Sequence, residues 1–297
     1  MTIAVSPIKR QQTKPYLTLQ EFKNAPTALD YGNLVVGGNQ AAQDAELSNA
    51  ILRASSWIDQ YCNQIIGATV DVEQQRVRLR SDGTVRIHPK YFPVVALLDL
   101  SIGSTPNQLT AAPDVSVAWL EEQEIIFPYA SMPMNFSSQG PLSFGFPAAT
   151  GTQSYVRFSY VNGYSNSTVA TIASAGSTVL LLADGTGIVA GEQITIFDGA
   201  NTETVTVDSS YVFDSNTVPI VSPLLYTHQV GVSVSALPAA IKEAAILVTS
   251  AFLKIRGDAS LTMGATNVVS GQVAPNSVFG NDINVAETLL KPFRRIR

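Results

Sequence analysis

The side chains in this sequence that could do chemistry are few and far apart. His88 and His228 stand 140 residues from one another, and neither has a Cys, Asp or Glu at metal-ligand spacing. The single cysteine, Cys62, would need a neighbouring base to act as a nucleophile. It falls on the apolar stripe of a helical pattern, where a buried and inert thiol is expected. Asp198, Glu203, Asp208 and Asp214 lack the regular spacing of a calcium loop and read as solvated turn acids. Glu121-Glu122-Gln123-Glu124 gathers carboxylates at a hairpin turn, without spacing that would support a glycosidase pair. Gly185 and Gly187 are not followed by the lysine of a phosphate loop. With no nucleophile, base and orienting group in view, the expectation is a protein that is not an enzyme and needs no cofactor.

Two groupings point to partners instead. Arg76, Arg78 and Arg80 alternate along one strand pattern and Arg86 lies on the next, so a hairpin would carry all four on its outer face. Such a face meets solvent, an acidic partner or a nucleic-acid backbone. The C-terminal run of Leu290, Lys291, Phe293, Arg294, Arg295, Ile296 and Arg297 mixes large apolar residues with Arg, a combination that interfaces favour. A docking peptide is expected there, because Phe293 and Ile296 gain nothing from exposure to water.

The elements that must position these residues follow from periodicity. Thr18 and Glu21 form the sequence signature of a capping box that opens a short helix. Apolar residues at Leu47, Ile51, Ala54, Trp57, Ile58, Tyr61 and Cys62 mark one stripe of a helix capped by Asp44. The period then shortens to two, at 76–80, 84–88, 94–100, 115–119, 124–127 and 155–161. A long loop at 128–151, rich in Pro, Gly and Phe, separates the last two of these. Short alternating runs at 179–182, 193–197, 202–207, 218–221 and 230–234, with turns at Asp184-Gly185 and Asp198-Gly199, suggest a small barrel or sandwich. Pro238 opens another helix and Gly257 closes it. A polar stretch at 258–284 leads to a final short helix at 285–290.

The predicted fold is therefore α+β: a helical core with β-hairpin elements, interrupted by a small all-β insertion domain. The core would comprise residues 1–164 together with 237–297, and the insertion residues 165–236. A chain of 297 residues with net charge −5 can bury such a core, and it lacks the excess of cations that a nonspecific nucleic-acid binder needs. No apolar run approaches the length of a membrane span, and the first residues lack the pattern of a secretory signal, so a soluble subunit is expected.

Five stretches, in this order, resemble the head-to-tail adaptor (connector) proteins of long-tailed bacteriophages. They are Leu17-Thr18-Leu19-Gln20-Glu21-Phe22, the helix around Ser56-Trp57-Ile58-Asp59-Gln60-Tyr61-Cys62, Val156 to Tyr164, Leu237 to Ala244, and Ala286 to Arg295. The resemblance implies a structural virion protein, assembled in the host cytoplasm and placed in the neck. It implies a homo-oligomeric ring, a dodecamer, bound to the portal protein above and to a stopper, neck or tail protein below. It also implies a central channel for the passage of genomic DNA. In the family the C-terminal tail often docks on the portal, which would assign that role to Phe293, Arg294, Arg295 and their neighbours. Smaller members have little between the Val156–Tyr164 strand and the Pro238 helix, so the insertion has no counterpart there. The competing expectation is a tail, baseplate or surface-binding protein whose β module recognises a ligand.

Overall fold

Alternation with period two dominates the middle of the chain, and it produces far more sheet than a helical core with hairpins would hold. In the computed structural model, which describes residues 14–27, 29–32, 34–128, 153–257 and 278–295, strand accounts for 34% and helix for 26%, with the strands in four sheets. This corrects the expected fold class. The segments at 76–80, 84–88, 94–100, 124–127 and 155–161 are not ornaments on a helical body but build a β structure of their own. The contacts of the chain divide its described residues into two units, one spanning Ala68–Gly163 and the other formed by the described residues up to Gly67 together with those from Tyr164 onward.

The first unit is a sandwich. Strands β1 (Thr69–Arg78), β3 (Val94–Thr105), β4 (Gln108–Ala111) and β7 (Gln153–Asn162) form one antiparallel sheet in the order β1-β7-β3-β4. Strands β2 (Thr84–Ile87), β5 (Trp119–Glu121) and β6 (Glu124–Pro128) form the other, in the order β2-β6-β5. Val77, Leu100, Ile102, Val156, Phe158 and Tyr160 from the first sheet share one buried cluster with Val85, Ile87, Ile125 and Phe127 from the second. The tight turn at 81–83 is present, with Gly83 at φ +75° and the Arg80 N–H donating to the Thr84 carbonyl. The expected hairpin nevertheless parts beyond it. β1 pairs with β7 and β2 pairs with β6, because Val77 and Val85 belong to opposite layers of the core. Residues 115–118 are not strand. Asp114 accepts from the Ser116 N–H and Val115 from the Ala118 N–H, which makes this a turn.

The register of β3 slips between Ile102 and Thr105 where it meets β4. Gly103 sits in this irregularity, and a Cβ there would lie 1.8 Å from the Gln108 carbonyl oxygen. Because the obstacle is backbone, Gly103→Ala is expected to lower stability by about 1–3 kcal/mol, read as a reduced midpoint of urea unfolding.

In the second unit, helices α1 (Leu19–Asn24), α2 (Gln40–Cys62), α3 (Ala239–Gly257) and α4 (Val278–Leu290) surround one apolar core. Thr18 and Glu21 close both halves of the capping box that opens α1. Asn39, not Asp44, caps α2 by accepting from the Ala42 N–H, and Asp44 pairs with Lys23 instead. Asn63 ends α2 in the left-handed region, at φ 56°. Leu47, Ile51, Ile58 and Cys62 of α2 meet Ile241, Ala245 and Val248 of α3 and Ala286 and Leu290 of α4. α4 begins seven residues before the expected short helix at 285–290.

The same unit carries a β module with its own core. β8 (Asn166–Thr168), β10 (Gln193–Phe197), β11 (Glu203–Thr206) and β13 (Ser233–Ser235) form a sheet in the order β11-β10-β13-β8. β9 (Val179–Leu181) pairs with β12 (Thr217–Pro219). Leu180, Leu182, Ile188, Ile194, Ile196, Val218 and Val234 are among its buried residues, separate from those between the helices. The expected loop at 128–151 and the polar stretch at 258–284 lie mostly outside the described residues.

Candidate functional site

The C-terminal segment is built by the end of α4. Leu290 completes the apolar stripe of that helix and is fully buried in the helical core. Pro292 then turns the chain into a short 3-10 helix, Lys291–Phe293. Phe293 packs edge-on against Tyr164, with ring centroids 6.5 Å apart. Its carbonyl accepts from the Gln64 side chain at 3.1 Å, and the Arg295 N–H donates to the Cys62 carbonyl at 2.9 Å. The Arg294 guanidinium lies 5.5 Å from the centre of the Tyr61 ring, a cation–π arrangement. The segment is thus laced onto the C-terminal end of α2 rather than held out as a free peptide. Leu290 belongs to the chain's own core, and Phe293 is partly buried on it. Lys291 and Arg294 remain exposed, and Ile296 and Arg297 lie outside the described residues.

The four hairpin arginines separate. Arg76, Arg78 and Arg80 are exposed on the outward side of the four-stranded sheet and its continuation. Arg76 donates to the Tyr155 hydroxyl at 2.6 Å, and its guanidinium lies 5.1 Å from that ring. Arg86 sits on the other sheet, paired with Glu124 at 3.2 Å and Glu121 at 3.7 Å. The pleat brings Arg157, which sequence reasoning passed over, beside this outward face through the Gln74–Arg157 and Ser101–Arg157 pairs. A shallow groove of about 690 Å³ opens there, lined by Val72, Asp99, Ser101, Asn107 and Arg157 among others. Its walls can hydrogen-bond a polar ligand through Asp99, Ser101, Asn107 and Arg157.

One buried polar cluster was not foreseen. His228 is fully buried, with Nδ1 3.0 Å from Asp198 and Nε2 2.9 Å from Glu203. Glu203 also accepts the backbone N–H groups of Leu225 and Tyr226, each at 3.0 Å. Asp198 and Glu203 are therefore not free turn acids. Burial pushes the Glu203 carboxyl up, yet the Leu225 N–H, His228 and the Tyr226 N–H outweigh it and hold the group below its ordinary range. Both imidazole nitrogens are occupied and neither reaches solvent, so the cluster fixes a loop and offers no base. It pins the backbone of 224–228 while Leu225 and Tyr226 point outward.

The Cys62 thiol is pushed up to about 12, by burial first and then by the charge of Asp59, with Arg294 opposing. At neutral pH it is not a nucleophile. Among the described residues no group of three or more His, Cys, Asp and Glu side chains could hold a metal ion, and no helix is long and apolar enough to cross a membrane. No family model matches this chain, and no curated protein matches its sequence significantly.

Proposed function

We propose that this chain is a structural virion subunit, a head-to-tail adaptor that joins the portal to the neck and tail of a long-tailed phage and surrounds the path of the DNA. In this reading, copies associate in a ring, and the subunit's body is mostly β-sheet rather than helical. The observation that supports it most is the second unit. Helices from both ends of the sequence share one core, the C-terminal segment is fixed on that core, and Lys291 and Arg294 are left exposed beside it. Sites of this kind suit docking between rigid surfaces, since little chain entropy is lost on binding. The order of motifs shared with the adaptor family supports the same reading.

Electron microscopy of portal particles mixed with the protein tests it. A coaxial ring of added density is expected, and its absence would overturn the proposal. Lys291→Glu leaves Leu290 and the Arg294 contact with Tyr61 in place, so it should weaken the ring density without changing the melting temperature. A second reading, recognition of a ligand by the β module, is favoured by the exposed apolar residues Ile172, Val221, Leu225, Tyr226 and Val230. Under that reading Leu225→Ser with Tyr226→Ser would abolish adsorption of virions and leave their assembly intact.

A further inference from the structure

Residues 14–17 cross the second unit as a strap. Lys14 forms an ion pair with Asp184 of the β module, and the Pro15 carbonyl accepts from the Asn166 side chain at 2.9 Å. Tyr16 is fully buried, and its N–H donates to the Ser55 hydroxyl of α2 at 2.9 Å. The Tyr16 hydroxyl donates to Asp59 and accepts the N–H groups of Ile66 at 3.0 Å and Gly67 at 3.2 Å. Leu17 enters the helical core. The Tyr16 side chain is anchored to α2 through one carboxylate, that of Asp59.

That carboxylate is poorly provided for. One oxygen of Asp59 accepts from Tyr16 and from the Ile66 N–H at 3.2 Å, while the other is buried with no hydrogen-bond partner among the described residues. Among the described residues the groups facing it are the Tyr16 hydroxyl from the strap, the Cys62 thiol from its own helix, and the Ile66 N–H from the turn beyond. The C-terminal segment brings Arg294 near Cys62, where its guanidinium is directed to the Tyr61 ring, and no ion pair joins it to Asp59. A buried anion without a cation is unfavourable, and opening the strap would let water reach it.

We propose that residues 14–17 form a pH-gated strap, closed over α2 while Asp59 is protonated and released when Asp59 ionises. In the closed state burial raises the Asp59 carboxyl from 3.8 to about 7, against the opposing hydrogen bonds from Tyr16 and the Ile66 N–H. Once water reaches the group it returns to its ordinary value. The closed state thus binds the proton more tightly, so its advantage is complete below the ordinary value and is lost as pH rises toward 7. Opening should increase about tenfold per pH unit across that window and level off above it. The device is independent of whether the chain is an adaptor, because it lies within a single copy.

Hydrogen–deuterium exchange on the full-length protein tests the strap, with protection factors corrected for the intrinsic pH dependence of exchange. Between pH 5 and pH 8, protection at Tyr16, Leu17, Ile66 and Gly67 should fall about 100-fold. Protection in β7 of the sandwich should hold constant over the same range. Asp59→Asn, which stays neutral, should give equal strap protection at both pH values. Equal protection in the wild-type protein, or the same fall in Asp59→Asn, would overturn the proposal. If Asp59→Asn does not fold, the carboxyl carbon resonance of Asp59 in the wild-type protein decides. A titration midpoint near neutrality supports the gate, and a midpoint in the ordinary carboxylate range refutes it.

Discussion

Replacing Lys242 with Met, and nothing else, is expected to destabilise the protein by about 3–5 kcal/mol. Lys242 lies on α3 and is 6% exposed. Its ammonium reaches Glu21 at 2.8 Å and the Ser233 hydroxyl at 3.1 Å, and it lies 4.5 Å from the centre of the Phe197 ring. One side chain thereby ties α3 to the capping box of α1 and to two strands of the β module. The same Glu21 accepts the Thr18 N–H through its other oxygen, at 2.7 Å. Removing the cation strands that carboxylate in a buried place. Burial lowers the Lys242 pKa even though Glu21 acts to raise it, so the ammonium is less favoured here than in water. The pair as a whole therefore adds little net stability, and its role is to fix geometry. Lys242→Met combined with Glu21→Gln should recover most of the loss. Urea unfolding of the wild type, both single variants and the double variant measures this as a double-mutant cycle. A double variant as unstable as Lys242→Met would show that the ion pair is not the source of the effect.

His228→Ala is the second large expected effect, at about 3 kcal/mol or more, because it leaves a cavity beside two carboxylates that have lost their shared partner. Its consequence should be local. Amide protection of Leu225 and Tyr226 should fall far more than that of the helices, since the Glu203 that holds those N–H groups loses its anchor. Acid should mimic the substitution. A carboxyl held below its ordinary range contributes stability that is present above that range and is lost as pH falls through the folded-state value. The β module is therefore expected to lose protection at acid pH, and Glu203→Gln should remove part of that dependence. An unchanged acid response in Glu203→Gln would assign the acid lability to other groups.

Local signals were legible in the sequence and distant ones were not. The capping box of α1 could be read because its partners are three residues apart. The helical stripe of α2 and the alternation of β10 carried the same kind of information, each decided by neighbours. The sandwich is hard to read from the sequence because Thr69 to Gln75 is a polar stretch, and only its pairing with Val156 to Asn162 of the distant β7 makes it a strand. Nothing local shows that Val77 and Val85 belong to different sheets of one core. His228, Glu203 and Asp198 meet over separations of 25 and 30 residues, so no spacing rule could join them. The C-terminal segment showed the right chemistry, large apolar residues with Arg, but sequence alone could not tell a docking peptide from one that first completes its own subunit.

The division of the helical core between the two ends of the sequence has a consequence for biosynthesis. Tyr16, Phe22 and Leu47 leave the ribosome well before Ala286 and Leu290, with which they share a core. Until α4 is made, α1 and α2 have no finished interior to enter, while every described strand of the sandwich is already available by Asn162. The nascent chain should therefore gain its sandwich before its helices come to rest, and the surface that carries Lys291 and Arg294 can form only after α4 has been made.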